Sequence, residues 1–249
     1  MSAIQAVLDL FARHRTIRNY EPLPLAEGDV DRIIEAARKA PSGVNAQIYS
    51  VIRVTDKALR DRLAELSGGQ EHISVAAEFF VFCVDVHRTA ILLESRGVRL
   101  DHGPHIAVHY GTMDVLLVAA NMATAAEAFG YGTCFIGAIL NHLDDAARVL
   151  NLPEGVMPVV GLTIGVPEST QTSPQKPRLP LDLVVHENGY REPTAEDILS
   201  AVETMGNRWL DSLVSFFGAG GRLGQRELVW LRTLAQQGFS FSPGANSND

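Results

Sequence analysis

Cysteine is nearly absent: among 249 residues only Cys83 and Cys134 carry thiols, and both sit inside apolar runs. Two thiols so placed read as small buried hydrophobes rather than as a disulfide framework or a nucleophile. They fit a reducing compartment, and a cytoplasmic location is expected. Positive charge is also scarce. Lys and Arg number 21 against 29 Asp and Glu, for a formal net charge of -8. Nonspecific nucleic-acid binding needs a broad basic surface, so this balance argues against it. Uninterrupted apolar runs long enough to span a membrane are missing as well. The longest apolar stretch, Met113 to Phe129, carries Asp114, Asn121 and Glu127, which argues against a membrane span. The N-terminus has an amphipathic pattern (Ile4, Val7, Leu8, Phe11) and no basic-then-apolar order, so no signal peptide is expected. There is no GxGxxG after the first predicted strand, which disfavours a dinucleotide-binding doubly wound sheet. No HExxH, internal repeat or low-complexity block appears.

Hydrophobic residues make up 46% of the chain, enough for a sizeable core. The pattern predicts a helix over 2–13, broken by Glu21-Pro22-Leu23-Pro24. A second helix spans 28–39, with Val30, Ile33, Ile34 and Ala37 on one face, and stops at Pro41-Ser42-Gly43. A strand at 49–55, a helix at 57–66 and a buried strand at 78–85 follow. Residues 87–110 show no clear period and read as a long excursion. Residues 111–129 form an Ala-rich helix, apolar nearly all round and therefore buried on several sides. Strands at 132–137 and 157–165 enclose a short helix at 143–150. Two further helices are predicted at 195–217 and 223–237. Helices and strands mix without a βαβ rhythm, so the expected class is an α+β layered domain. No linker-like boundary divides it. Residues 1–239 read as one domain and 240–249 as a frayed tail.

Against the acidic background, Arg13-His14-Arg15-Thr16-Ile17-Arg18 packs three arginines and a histidine into six positions. Lys176-Pro177-Arg178-Leu179-Pro180 forms a second basic spot far away in sequence. Proline favours an extended segment, so Lys176 and Arg178 can project to the same side. Two such spots suit one anion held from two sides, and phosphate is the usual partner of arginine forks and lysine point charges. The plainer alternatives stay open: a solvated basic turn at the C-terminus of the first helix, and an ordinary surface loop. Asp101, His102, His105 and His109 raise the thought of a metal site. Without a clear helical period they read instead as a polar cap, and no metal is expected.

The motifs together resemble the FMN-dependent nitroreductase and flavin reductase family, and within it the NADPH-preferring, oxygen-insensitive branch. The matching pieces are HRTIRNY (14–20), APSGVNAQ (40–47), VIRVTDKALRDRL (51–63), GGQ (68–70), AAEFFVFCVD (76–85), GTCFIGAILN (132–141), LPEGVMPVVGLTIGVP (152–167) and QKPRLPLDLVVHENGY (175–190). They run in the family's order across most of residues 10–190. The resemblance implies a central antiparallel sheet flanked by helices, in an intertwined homodimer whose C-terminal segments wrap the partner. It implies FMN at each dimer interface and ping-pong transfer from NADPH or NADH to a small-molecule electron acceptor.

Carried over residue by residue, the likeness assigns His14, Arg15, Thr16 and Arg18, with Lys176 and Arg178, to the FMN phosphate and ribityl chain. Ser42, Asn45 and Gln47 are candidates for the isoalloxazine edge, which presents acceptors and one N–H; helix-stop chemistry explains Ser and Gly there equally well. Gln70 is a further flavin candidate. Phe135, Ile136 and Gly137 are expected beside the reactive face, where a glycine lets backbone approach a planar ring. Ala138 stands where relatives often have a second glycine. No residue is expected to act as a chemical catalyst, since the flavin carries the hydride chemistry.

For the nicotinamide cofactor the candidates are Arg208 and Arg222, with Arg226 close by and Gly218–Arg222 as either a mobile loop or a helix connection. Glu196, Asp197, Glu203 and Asp211 oppose them. The likeness points to NADPH, and these acids keep NADH in play. The expected function is an FMN-dependent NAD(P)H oxidoreductase reducing nitroaromatics, quinones or free flavin. The alternatives are a reductase of one dedicated metabolite and a flavin-binding protein without efficient turnover.

Overall fold

Strand β2 (Glu78–Asp85) is buried at every one of its eight positions, and that burial explains the fold. In the computed structural model, which describes residues 2–100, 104–169 and 175–239, β2 lies inside a four-stranded sheet with β1 (Tyr49–Arg53), β3 (Gly132–Ile136) and β4 (Val156–Gly165). The order is β1-β2-β4-β3, and every neighbouring pair is antiparallel. Side chains alternate across the sheet. Phe80, Phe82 and Val84 enter one apolar cluster, whereas Phe79, Val81 and Cys83 enter another on the opposite face. A strand covered on both faces needs no polar alternation, which is why its inner six residues, FFVFCV, are a continuous apolar run. Pro158, which has no N–H to donate, sits where the β2–β4 register shifts and Val159 is left without a partner, as expected of a bulge.

The helices, in chain order, are α1 (Ala3–Ala12), α2 (Asp29–Ala37), α3 (Lys57–Leu66), α4 (His72–Val75), α5 (His87–Glu94), α6 (Pro104–Ala128), α7 (Leu143–Val149), α8 (Ala195–Met205), α9 (Asn207–Phe217) and α10 (Arg222–Gln236). α3 begins where the Asp56 side chain accepts from the Leu59 amide at 2.7 Å. α6 covers one sheet face with Val115, Val118, Ala119 and Met122, and α2 packs there through Ile33 and Ala37. The other face is covered by Leu63 and Ala64 of α3, Ile73 of α4 and Ile139 of a 3-10 turn, Gly137–His142.

The predicted excursion at 87–110 is corrected. Residues 87–94 form α5, and α6 starts at Pro104, seven residues before the predicted helix. The period was hidden because the early turns of α6 are apolar on two sides: Ala107 and Val108 are buried while Ile106 and Tyr110 are exposed. The predicted helix 195–217 is also corrected. It is two helices, broken at Gly206 (φ 83°, ψ 156°), a conformation that only glycine adopts without strain. Residues 106–128 of α6 are long and apolar enough to cross a bilayer, yet half of that stretch is buried within the protein. The thiols of Cys83 and Cys134 are buried, and burial pushes the Cys83 thiol up from its ordinary range. The predicted tail 240–249 lies outside the described residues.

By contacts the chain falls into two units, Met1–Ser173 with Val229–Asp249, and Pro174–Leu228. The first holds the sheet. The second holds α8 and α9, which pack on each other. α8 starts with a capping box between Thr194 and Asp197.

Candidate functional site

The basic box is laid along the edge strand β3. The Ile17 amide donates to the Thr133 carbonyl at 2.8 Å, and Thr16 bridges Thr133. Two glycines permit this close approach. A Cβ at Gly132 would lie 2.6 Å from Ile17, and one at Gly165 would lie 2.6 Å from Tyr20. Extended backbone sends alternate side chains to opposite sides. Arg13, Arg15 and Ile17 accordingly line one cleft of about 490 Å³, together with Phe129 and Tyr131. Arg15 also donates from Nη1 to the Arg13 carbonyl at 2.8 Å. His14 contacts Glu127 Oε1 through Nδ1 at 2.7 Å, and Thr133 donates to the same oxygen. Arg18 is exposed and outside that cleft, and it makes no ion pair among the described residues. It bears instead on His72. Burial, with the Arg18 charge as the smaller cause, holds that imidazole below its usual range, and His72 Nε2 is buried without a hydrogen-bond partner among the described residues.

The loop between α2 and β1 is the most strained part of the first unit. Val44 (φ 46°), Asn45 (φ 57°) and Gln47 (φ 52°) all adopt positive φ. For non-glycine residues this conformation costs on the order of 1–3 kcal/mol each, and a β-branched valine tolerates it least. Val44 is 99% exposed, so packing offsets none of that cost. The loop is tied down at both ends by Asp114 of α6, which is 4% exposed. Its Oδ1 accepts from the Gly43 amide at 3.1 Å and its Oδ2 from the Ile48 amide at 3.2 Å. Arg88 of α5 adds a second tie, donating from Nη2 to the carbonyls of Gln47 (2.6 Å) and Tyr49 (3.0 Å). Asp85 holds Arg88 through Nη1 at 3.2 Å and receives the Ser50 hydroxyl. Ser42 Oγ accepts from the Gln47 amide. Asn45 and Gln47 are exposed, and both border a cavity of about 560 Å³ with Tyr49, Ser50 and Arg88.

At the end of β3, Phe135 is 41% exposed while Ile136 is fully buried, so Ile136 can offer only backbone. A Cβ at Gly137 would meet nothing within 4 Å, which leaves open space beside that backbone. The Gly68-Gly69-Gln70 loop adjoins the Gly137–His142 turn, with Asn141 Nδ2 3.3 Å from a Cβ placed at Gly68. Gln70 donates from Nε2 to the Ser67 carbonyl at 2.9 Å, leaving its amide oxygen for another partner.

In the second unit, Lys176 and Arg178 are exposed and make no ion pair among the described residues. Arg178 folds back, donating from Nη1 to the Lys176 carbonyl at 2.9 Å. Arg222 and Arg226 place their guanidinium carbons 5.5 and 5.2 Å from the centre of one ring, Phe216. Arg208 is exposed on α9. His102 lies outside the described residues, and His109 is exposed with its ring edge against Tyr110. Among the described residues no group of three or more His, Cys, Asp or Glu is arranged to hold a metal ion.

Sequence reasoning missed Asp114, Arg88 and His72 as parts of this region. The signal for Asp114 was present, since a lone carboxylate in an apolar helix must find partners when buried. Nothing in the sequence marked Arg88 or His72.

The donor set fits a flavin mononucleotide. Exposed cations without carboxylate partners match a phosphate. Exposed amide side chains, which both donate and accept, match a ring edge of mixed polarity. His72 Nε2 is one further buried polar atom without a hydrogen-bond partner among the described residues. The α+β fold and this donor set fit the class of flavin-dependent oxidoreductases.

The family model of the nitroreductase family matches residues 11–166, and the chain belongs to that family. It is 38% identical over 193 residues to an oxygen-insensitive NADPH nitroreductase of Salmonella typhimurium, covering 78% of each chain. It is 33% identical over 225 residues to an FMN reductase (NADPH) of Bacillus subtilis, covering 90% of this chain and 87% of that one. Among solved structures, an NADPH:FMN oxidoreductase from Vibrio harveyi complexed with NAD+ superposes with a TM-score of 0.84 at 32% identity, over 94% of this chain and 98% of that one. The chain is thus an FMN-dependent NAD(P)H oxidoreductase of the nitroreductase type.

Proposed function

We propose that this enzyme takes electrons from NADPH or NADH and delivers them by ping-pong turnover to nitroaromatics, quinones or free flavin, as a cytoplasmic homodimer in which residues 1–239 act as one domain. The observation that carries this reading is the Ser42–Ile48 loop, held in a strained shape that leaves Asn45 and Gln47 open to solvent. FMN, when bound, supplies the two-electron chemistry. Arg18, Lys176 and Arg178 are assigned to its phosphate, with His14, Arg15 and Thr16 along the ribityl side. Asn45, Gln47 and Ser42 orient the ring edge, with Gln70 contributing its free amide oxygen. Phe135 and the Gly137 backbone border the face where hydride arrives, and no side chain is assigned a proton-transfer step.

A homodimer is supported by apolar surface that a lone chain leaves uncovered. Ile4, Val7, Leu8 and Phe11 on α1 are between 53% and 75% exposed, and Tyr110, Leu116 and Leu117 on α6 between 44% and 50%. Such surface marks an interaction site. The weak basic character after residue 190, where Glu196, Asp197, Glu203 and Asp211 oppose the arginines, favours a second reading, a flavin binder with poor turnover. One experiment separates the two. Purified protein is loaded with FMN and mixed anaerobically with NADPH or NADH in a stopped-flow instrument. Rapid bleaching of the flavin's visible band, followed by recovery on adding a nitroaromatic or quinone, supports the enzyme. Tight FMN binding without bleaching supports the binder, and absence of FMN binding rejects both.

A further inference from the structure

We propose that Asp114 is a positioning residue: its buried carboxylate, bridging the amides of Gly43 and Ile48, holds the loop in the left-handed shape that presents Asn45 and Gln47 to the flavin ring. This rests on the FMN-binding reading above. The loop's own sequence does not account for its shape. Asparagine tolerates the left-handed region through its short polar side chain, but Val44 and Gln47 do not share that advantage. The bonds inside the loop, from the Asn45 amide to the carbonyl of half-buried Ser42 (3.1 Å) and from the Ala46 amide to the Gly43 carbonyl (2.8 Å), involve the exposed residues Gly43, Asn45 and Ala46. Water competes for such bonds, so their net contribution is small.

The ties from outside differ in kind. Asp114 sits one residue before the core residue Val115 on α6, so its position is fixed by packing. Both of its oxygens accept from loop amides, at opposite ends of the strained stretch. Bonds to an ionised, buried acceptor are stronger than neutral ones. Asp114 makes no ion pair among the described residues, so its carboxylate depends on these two amides as much as they depend on it. An asparagine here could accept only one of the two bonds and would turn its NH₂ against the other N–H. Arg88 closes the C-terminal end from α5: its Nη2 donates to both carbonyls while its Nη1 stays on Asp85. A lysine has one nitrogen and no planar fork to hold the carbonyl pair and the carboxylate at once.

The test uses the full chain with Asp114→Asn and Arg88→Lys, the latter keeping a cation beside Asp85. Three quantities are measured: dissociation constants for FMN and for riboflavin, hydrogen exchange of the peptide covering 42–49, and the melting temperature without flavin. A loop that orients the ring acts on both flavins alike. Asp114→Asn is therefore expected to weaken FMN and riboflavin by the same factor, tenfold or more. Exchange in 42–49 rises while β2 and β4 stay protected and melting stays cooperative. Arg88→Lys is expected to act in the same direction with a smaller factor, and it decides the matter if Asp114→Asn does not fold. Binding of both flavins within threefold of wild type overturns the proposal, as does weakening confined to FMN or unchanged loop exchange. Wild-type protein that binds neither flavin overturns the functional reading and the proposal with it.

Discussion

The Tyr20 hydroxyl lies 2.8 Å from Thr163 Oγ1, so the residue that ends the basic box is fixed to an inner strand of the sheet. The same hydroxyl donates to the Ile17 carbonyl at 2.8 Å, closing a short turn over Arg18 and Asn19. Tyr20 is 5% exposed, and burial pushes its phenol above the ordinary range. Arg18 is thus carried on a turn whose two ends cannot drift. Tyr20→Phe keeps the ring and removes the bonds, leaving the Ile17 carbonyl short of a donor. The expected loss is about 1–2 kcal/mol of stability, read from urea unfolding of the flavin-free protein. FMN binding is expected to fall with it, because Arg18 loses its fixed backbone. A variant as stable as wild type would show that the turn does not depend on Tyr20.

The division of the box into two faces sets an order among its arginines. Arg18 stands outside the cleft that Arg13 and Arg15 line. If Arg18 and Arg178 hold the phosphate, Arg18→Ala and Arg178→Ala each remove a charge-assisted contact worth about 1.5–3 kcal/mol. FMN is then expected to weaken by one to two orders of magnitude, with riboflavin nearly unaffected. Arg15→Ala is expected to cost less, since Arg15 already donates to the Arg13 carbonyl. Isothermal titration with both flavins reads all three variants. Equal weakening of FMN and riboflavin by Arg18→Ala would remove the phosphate assignment.

Much of the scaffold was legible. β2 and α3 fall on the predicted residues because their burial and capping are local facts: six apolar residues in a row, Phe79 to Val84, and Asp56 before Lys57. The two-faced box was not legible. Read as a crowded basic segment, it suggested side chains converging on one ligand. Its extended path along β3 depends on Gly132 and Gly165 leaving room for Ile17 and Tyr20, more than 100 residues away in sequence. Asp114 was visible only as a polar interruption in an apolar helix. Its partners, Gly43 and Ile48, are backbone amides, and a sequence carries no mark of which amides will need an acceptor.

His72 makes a pH dependence. Its imidazole is buried and held below the ordinary value of 6.5. A histidine depressed in the folded state contributes stability that is complete above the unfolded value and is lost as pH falls toward the folded one. The flavin-free protein is therefore expected to melt at progressively lower temperature below about pH 6.5. His72→Gln is expected to flatten that part of the profile and leave the profile above pH 7.5 parallel to wild type. Melting curves at half-unit pH steps check this. An unchanged slope between wild type and variant would assign the acid sensitivity to other groups.

Nicotinamide choice turns on the second unit. A 2′-phosphate needs local positive charge, and Arg222 and Arg226 gather it on the single ring of Phe216. Each guanidinium has that ring as a face to rest on, which steadies two like charges side by side. Their mutual repulsion persists: burial first and the Arg222 charge second lower the Arg226 pKa. An incoming phosphate relieves this repulsion, which gives NADPH an advantage that NADH lacks. Contacts at a surface are screened and worth roughly 1 kcal/mol each, so the preference expected is about fivefold to tenfold and shrinks with salt. Arg222→Ala is expected to remove most of it. Phe216→Ala is expected to reduce it without changing the net charge, because the two guanidinium groups lose their common support. The measurement is kcat/KM for NADPH and NADH at two ionic strengths in all three proteins. A preference above a hundredfold that survives Arg222→Ala would place the phosphate elsewhere. A preference for NADH would show that Glu196, Asp197, Glu203 and Asp211 outweigh the arginine pair.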